Sequence, residues 1–397
     1  MTQDPAALII YHDLDHPCWQ SCWKTGKTVL ESQMLAKIAR WGGHPWFFAH
    51  RGYDDGLFRG AVTLEHLGIA SPAYDPDFPM SWGEITDVKA IEVLDLARRQ
   101  NKQILISWSG GIDSSVVLVA LLKWARNEDL ERLIVATKKS AVWENGMLFD
   151  LIVDRKLKLI DYDRMIMSIQ SLPMSDYILL NGHPADQLLI GMNDSTRLVL
   201  ENKEYAQIPW KQTSHLKKYL STFIDDDKVV EWLIAKVACN LESIDNPVES
   251  CYSFIWWISF NYFFSAVATY EFVQTYSRWA GLPFETWRHN RFAWFEDMAY
   301  QKWAMANCNR FDVLFGPNFN QWKWCAKQYM FDYTKDYYYL NYKTKVASIG
   351  RKSSTREANP GWTCMDKDNN FYSRHENAEQ TRSLIASSIN PRFATNV

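Results

Sequence analysis

The sequence lacks Cys-x-x-Cys pairs, although it contains seven cysteines. Structural zinc sites normally use such pairs, so no zinc site is predicted. The scattered cysteines favour a reducing compartment over a disulfide framework. An excess of charge of one sign is also missing, because 43 basic residues balance 46 acidic ones and leave a net charge of −3. Overall charge therefore provides no attraction to nucleic acid.

Long hydrophobic runs are almost missing too. Residues 251–270 contain no charged side chain, and their length would permit a membrane span. Polar residues such as Ser253, Ser259 and Asn261 interrupt the run, and no basic cluster lies close to one side. We therefore expect a buried central helix and no membrane segment. The N-terminal MTQDPAAL is not typical of a signal peptide, so the expected location is the cytoplasm.

The sharpest motif is SGGIDSS at 109–115, between a predicted strand (103–109) and a predicted helix (114–126). Its two glycines allow the backbone to approach a phosphate, and the N–H groups at the helix start would point at that anion. Asp113 would place a carboxylate where Mg²⁺ could bridge phosphates. The alternative is an ordinary turn with Asp113 and Ser114 capping the helix. No Gly-Lys-Ser/Thr follows, and Gly-x-Gly-x-x-Gly is absent, so this is neither a Walker A loop nor a dinucleotide fingerprint.

The pattern around this motif predicts an α/β fold. Strands at 103–109, 132–137, 157–160 and 177–182 alternate with helices, which is typical of a parallel sheet with helices on both faces. From about residue 210 the chain becomes helical and aromatic-rich, and we expect its aromatics in the core. The predicted domains are a small N-terminal cap at 1–82, the main domain at 83–350 and a polar tail at 351–397.

Ser109–Ser115 resembles the pyrophosphate loop, Ser-Gly-Gly-x-Asp-Ser, of the N-type ATP pyrophosphatases. The resemblance implies an adenine nucleotide α-hydrolase-like fold that binds ATP and Mg²⁺. It also implies cleavage of ATP between its α and β phosphates, transfer of AMP to a substrate and release of pyrophosphate. The nucleotide-binding candidates that follow from it are Ser107, Ser109, Gly110, Gly111, Asp113, Ser114, Ser115, Val135 and Gly182.

A second segment, 177–191, resembles the asparagine synthetase motif Ser-Gly-Glu-Gly-Ala-Asp-Glu-Leu-Phe-Gly-Gly. By position, Gly182 would lie against the nucleotide, and Asp186 would join Asp113 as the second magnesium ligand. Two glutamates of that motif are His183 and Gln187 here, which argues against asparagine as the product. His183 is a candidate base or hydrogen-bond partner of the substrate, with a structural loop histidine as the alternative. For Asp186 the alternative is a helix N-cap.

Two further positions are assigned by the same resemblance. Lys345 takes the place of the lysine in the family's Arg-x-Lys sequence, which stabilises charge on the phosphates and the intermediate, and Lys343 takes the place of the arginine. The alternative is two solvated lysines. Glutamine-dependent members carry a nucleophilic cysteine after the initiator Met, whereas this chain has Thr2, so no glutaminase activity is expected.

These features predict an ATP-dependent amide ligase that adenylates a small-molecule carboxylate and passes it to ammonia or an amine. The catalytic candidates are Lys345, His183 and Asp186, and the metal ligands are Asp113 and Asp186. One alternative is a tRNA-modifying enzyme, because residues 182–186 also resemble the Gly-His-His-x-Asp-Asp segment of tRNA lysidine synthetases and thiolases. Only that alternative has a nucleic acid partner. A catalytically inactive ATP-binding scaffold is the third possibility, and the sequence does not determine the oligomeric state.

Overall fold

A computed structural model describes residues 71–162, 174–189, 198–222, 224, 226–264, 291–319, 321–343, 364–365 and 371–372. The described residues belong to two compact units. The first, here called the sheet unit, draws on residues within Asp77–Asp186, Arg278–Trp303 and Arg310–Val397. The second, the helical unit, draws mainly on residues within Gln187–Ser277 and Ala304–Asn309.

The sheet unit contains five parallel strands in the order β3-β2-β1-β4-β5. The strands are β1 Gln103–Trp108, β2 Leu133–Thr137, β3 Lys158–Asp161, β4 Tyr177–Asn181 and β5 Arg291–Ala293. The first four confirm the strands predicted from the sequence to within one residue at each end. The fifth has three residues, which is too short to produce a recognisable alternation. A separate antiparallel pair joins β6 Cys364–Met365 and β7 Phe371–Tyr372.

Helices connect the strands of the sheet unit, in agreement with the predicted α/β class, and further helices form the helical unit. In chain order they are α1 Trp82–Gln100, α2 Ile112–Trp124, α3 Asn127–Leu130, α4 Lys139–Glu144, α5 Gly146–Asp154, α6 Ala185–Leu189, α7 Lys203–Gln207, α8 Thr213–Leu220, α9 Asp227–Glu242, α10 Cys251–Ile258, α11 Met298–Asn307, α12 Phe311–Phe315, α13 Trp324–Thr334 and α14 Tyr337–Tyr342.

Helix α2 is the centre of the sheet unit. Ten of its 13 residues are buried, because it packs against β1 and β4 as well as against α1 and α13. Asp87 of α1 holds the helices together: it accepts hydrogen bonds from Lys123 and Trp124 near the end of α2, and from the Tyr329 hydroxyl of α13 at 2.7 Å. These contacts tie α1, the end of α2 and α13 to one another.

The strand order reverses between β1 and β4. Ile106 of β1 pairs with Leu180 of β4, so the two strands end at nearly the same level. In open α/β sheets, ligands bind outside the carboxyl ends of the strands where the order reverses, since the connections leave a crevice there. The loops after Trp108 and after Asn181 both begin at this place.

The helical unit has an aromatic core, as the composition predicts. Every residue of α10 is buried, and an adjoining π-helical turn covers Ser259–Phe263. Trp256 stacks on Phe260 with ring centroids 4.7 Å apart, and its indole N–H donates to the Leu188 carbonyl oxygen at 2.9 Å. The predicted buried helix is thus confirmed over the described residues. None of the helices described is long and apolar enough to cross a membrane.

Candidate active site at the carboxyl edge of the sheet

The Gly-Gly loop leaves β1 through a turn that its own hydroxyl groups stabilise. The Ser114 hydroxyl accepts from the Ser109 backbone N–H at 3.0 Å and lies 2.9 Å from the Ser109 hydroxyl. Gly110 has a φ of +75°, and a Cβ there would lie 2.4 Å from the Ala141 carbonyl oxygen. Glycine is therefore required at this position by both its backbone conformation and the approach of α4.

Ser115, predicted to be a nucleotide-binding residue, lies on the inner side of α2. It is fully buried, and its hydroxyl accepts from the Trp108 indole N–H at 3.0 Å. The Asn145 side chain also donates to this hydroxyl, at 3.4 Å. In the structure Ser115 therefore joins β1, α2 and the start of α5.

Gly182 brings the loop after β4 directly against the start of α2. A Cβ on Gly182 would lie 2.7 Å from the Ser114 backbone nitrogen, closer than real side chains come. The resemblance places Gly182 beside the nucleotide, and the structure places it beside the Gly-Gly loop. His183 follows with an exposed side chain, while its backbone N–H donates to Asn181 and its carbonyl oxygen accepts from the Phe295 N–H.

Asp113 and Asp186, far apart in the chain, meet at one ammonium group. Lys323 donates to Asp113, and its Nζ lies 2.6 Å from Oδ1 of Asp186. The lysine side chain is only 5% exposed, against 24% for Asp113 and 31% for Asp186. Burial disfavours the charged amine, but the two carboxylates outweigh burial and raise the pKa of Lys323 above its usual value. The structure thus brings the two aspartates together, with a lysine between them, and their role as metal ligands stays a prediction.

Sequence reasoning missed Lys323. It precedes α13, and its backbone has a φ of +51°, the left-handed region that a lysine rarely adopts. Non-glycine residues in this region cost free energy and are enriched at functional sites. Nothing in the local sequence QWKWCAK indicates that conformation or its partners, which lie about 140 and 210 residues earlier in the chain.

Lys343 pairs with a residue that lies close to the Gly-Gly loop. Its ammonium pairs with Glu144 of α4, and both side chains are nearly fully buried, at 6% and 5% exposure. The Tyr339 hydroxyl donates to the Gly110 carbonyl oxygen at 3.0 Å, so α14 contacts the loop itself. Lys343 is therefore buried, whereas the alternative interpretation was a solvated lysine. Lys345 lies outside the described residues.

Lys327 lies one turn after Lys323 and contacts only neutral oxygen atoms. Its Nζ donates to the Gln321 side-chain oxygen at 2.8 Å and to the Lys343 carbonyl oxygen at 2.9 Å. Burial first, and then the charge of Lys343, lowers the pKa of Lys327 to about 7. Lys327 thus joins the start of α13 to the end of α14.

Two other predicted nucleotide-binding residues lie within the strands. Ser107 is the penultimate residue of β1 and pairs with Ala136 of β2. Val135 is fully buried in the middle of β2, between Ile106 and Leu159 of the neighbouring strands. The structure therefore does not bring the Val135 side chain to the carboxyl edge, where Asp113 and Asp186 lie.

Asp113 and Asp186 have the ligand chemistry that Mg²⁺ prefers. Mg²⁺ in nucleotide enzymes is commonly bound by one or two carboxylates, with phosphates and waters as the other ligands. Because both carboxylates reach one ammonium, they can also reach one metal ion, provided that Lys323 moves. No larger group of His, Cys, Asp or Glu suited to a metal occurs in the part of the chain that the structure describes.

No protein-family model, curated protein or solved structure matches this chain.

Proposed function

We propose that this chain is an ATP-dependent, AMP-forming C–N ligase of the N-type ATP pyrophosphatase kind, with an adenine nucleotide α-hydrolase-like fold. The observation that carries the proposal is the meeting of Asp113, Asp186 and Lys323 where the strand order reverses. The strand order 3-2-1-4-5 and a phosphate-type loop after β1 both support a nucleotide at this edge.

The triphosphate would lie across the start of α2. Backbone N–H groups at a helix start and the positive end of its dipole favour an anion there. The cap residue of α2 is Gly111, which has no side chain that could compete for these donors. Asp113 and Asp186 would hold Mg²⁺, which neutralises charge on the β and γ phosphates when bound.

The reaction proceeds in two displacements. A carboxylate oxygen of the substrate attacks the α phosphorus, the bond to the bridging oxygen breaks, and pyrophosphate leaves. Ammonia or an amine then attacks the acyl carbon of the adenylate, loses a proton and expels AMP. The protein mainly positions the reactants and neutralises charge in both displacements.

Lys323 is the described residue best placed for the role assigned to Lys345. Its ammonium is buried and lies between the two carboxylates that would share the metal with the phosphates. Negative charge that develops on the departing pyrophosphate would therefore form close to it. His183, on the loop after β4 and with an exposed side chain, is the candidate base.

Exchange of labelled pyrophosphate into ATP tests the proposal without knowledge of the amine. The purified chain would be incubated with ATP, Mg²⁺, labelled pyrophosphate and pools of small carboxylic acids. We expect labelled ATP with at least one pool, and AMP but not ADP when amines are added. Formation of ADP would contradict the proposal. The absence of labelled ATP with every pool, and also with tRNA as the substrate, would contradict it as well. Asp113→Asn is the matched inactive control.

A further inference from the structure

Lys323 occupies the point at which Asp113 and Asp186 converge, and this placement has a consequence for metal binding. Two carboxylates facing one another repel, and a cation between them removes that repulsion. Here the cation belongs to the chain: the Lys323 Nζ lies 2.6 Å from Asp186 and also donates to Asp113. A metal ion bound by both aspartates would need the same position.

We propose that Lys323 is a built-in counter-ion that exchanges with the metal. It neutralises the aspartate pair when no nucleotide is bound, and it leaves the pair when a metal–nucleotide complex enters. The inference rests on the proposed function in taking Asp113 and Asp186 as metal ligands. It adds that the free chain has little affinity for a divalent metal by itself, so that metal and nucleotide bind together.

The chemistry of lysine suits such an exchange. An ammonium is a compact point charge on a flexible four-carbon stem, so its head group can move by a few ångströms while the backbone stays in place. The backbone of Lys323 is set by α13, which Tyr329 fixes to Asp87 of α1 at 2.7 Å. After the exchange the ammonium would still lie beside the phosphates, because these share the metal with the two aspartates.

The other two buried lysines near the site have other partners. Lys343, the other buried ammonium near the loop, is paired with Glu144. Lys327 is held by the Gln321 side chain and the Lys343 carbonyl oxygen. Of the three buried lysines between residues 321 and 343, only Lys323 is paired with the predicted metal ligands.

Mn²⁺ binding to the nucleotide-free chain, measured by electron paramagnetic resonance, tests the exchange. Wild type should bind Mn²⁺ weakly, and Lys323→Met should bind it at least about tenfold more tightly, since a competing positive charge is removed. Lys327→Met is the matched control, because it removes a buried lysine of α13 that does not touch the aspartates. The double variant Lys323→Met with Asp113→Asn should lose the gain.

Equal Mn²⁺ affinity of wild type and a folded Lys323→Met chain would overturn the proposal, and so would tight binding to nucleotide-free wild type. Circular dichroism checks folding, and Lys323→Gln replaces Lys323→Met if the latter does not fold, with the same expected and contradicting results. Neither ATP nor turnover enters this measurement. If the Mn²⁺ affinities are as expected but no labelled pyrophosphate enters ATP, the proposed function alone is therefore refuted.

Discussion

Two buried lysines lie at the start of α13, and the atoms around each are here called the first pocket (Lys323) and the second pocket (Lys327). The two pockets shift the pKa of their lysine in opposite directions. In the first, Asp113 and Asp186 raise the pKa of Lys323 despite burial. In the second, only uncharged oxygens of Gln321 and Lys343 contact Lys327, and burial lowers its pKa to about 7. The residue type is the same, and both side chains are buried next to the first turn of α13. The partners decide whether the lysine stays charged, so under the proposed function the pocket with the carboxylates is the one that would contact the phosphates.

Removing a carboxylate from the first pocket should have the largest effect. Asp113→Asn or Asp186→Asn should each lower AMP formation by about 1,000-fold, because the metal loses a ligand and Lys323 loses a partner. The double variant should cost less than the product of the two, since both aspartates act on one cation. Asp161→Asn, at the carboxyl end of β3, is the control, and an equal loss there would contradict the assignment.

Replacing Lys323 or Lys327 separately with methionine compares the two pockets directly. Lys323→Met should lower turnover by about 100- to 1,000-fold, while the dissociation constant of ATP changes by less than about tenfold. Lys327→Met should keep turnover within about tenfold of wild type, because that amine contacts only structural oxygens. Lys323→Arg should not restore the rate fully, since a planar fork does not replace a point charge. Equal losses for the two methionine variants would show that the pockets do not differ in function.

The position of Asp113 depends on the Gly-Gly loop, which a glycine substitution can disturb. Gly110→Ala should lower the free energy of unfolding by about 3 kcal/mol, because its φ is +75° and the new Cβ would overlap the Ala141 carbonyl oxygen. Gly146→Ala is the matched control, since a Cβ there has no atom within 4 Å. Chemical denaturation of both variants measures the difference, and similar stabilities would argue against the loop geometry.

The last expected effect is a pH dependence of stability that comes from Lys327. Between its folded pKa of about 7 and the usual lysine value of 10.5, the unfolded chain binds a proton that the folded chain does not. The free energy of unfolding should therefore rise with pH over this range, by up to about 1.4 kcal/mol per pH unit from this group. Lys327→Met should remove that contribution, whereas Lys228→Met, at an exposed position of α9, should not. Denaturant unfolding at about pH 7 and about pH 9 measures it, and parallel curves for wild type and Lys327→Met would contradict it.

Much of the sheet unit can be predicted from local sequence. The four strands from 103 to 181 and the helices around them have apolar patterns long enough to recognise, and Ser109–Ser115 has a distinctive loop sequence. The three-residue strand β5 could not be predicted, because so short a segment acquires its structure from pairing with β4. Lys323 could not be assigned either, since an isolated lysine in an aromatic segment is typical of a solvated side chain.

The sequence by itself determined the α/β pattern, the Gly-Gly loop and the presence of aspartates after two strands. Tertiary structure alone decided the strand order, which brings the ends of β1 and β4 together and thereby joins Asp113 to Asp186. It also decided which lysine meets them, because the packing of α13 on α2 sets the position of Lys323. The physical reason is that backbone periodicity is encoded by neighbouring residues. The partners of a buried charge, in contrast, come from segments about 200 residues apart, and only packing selects them.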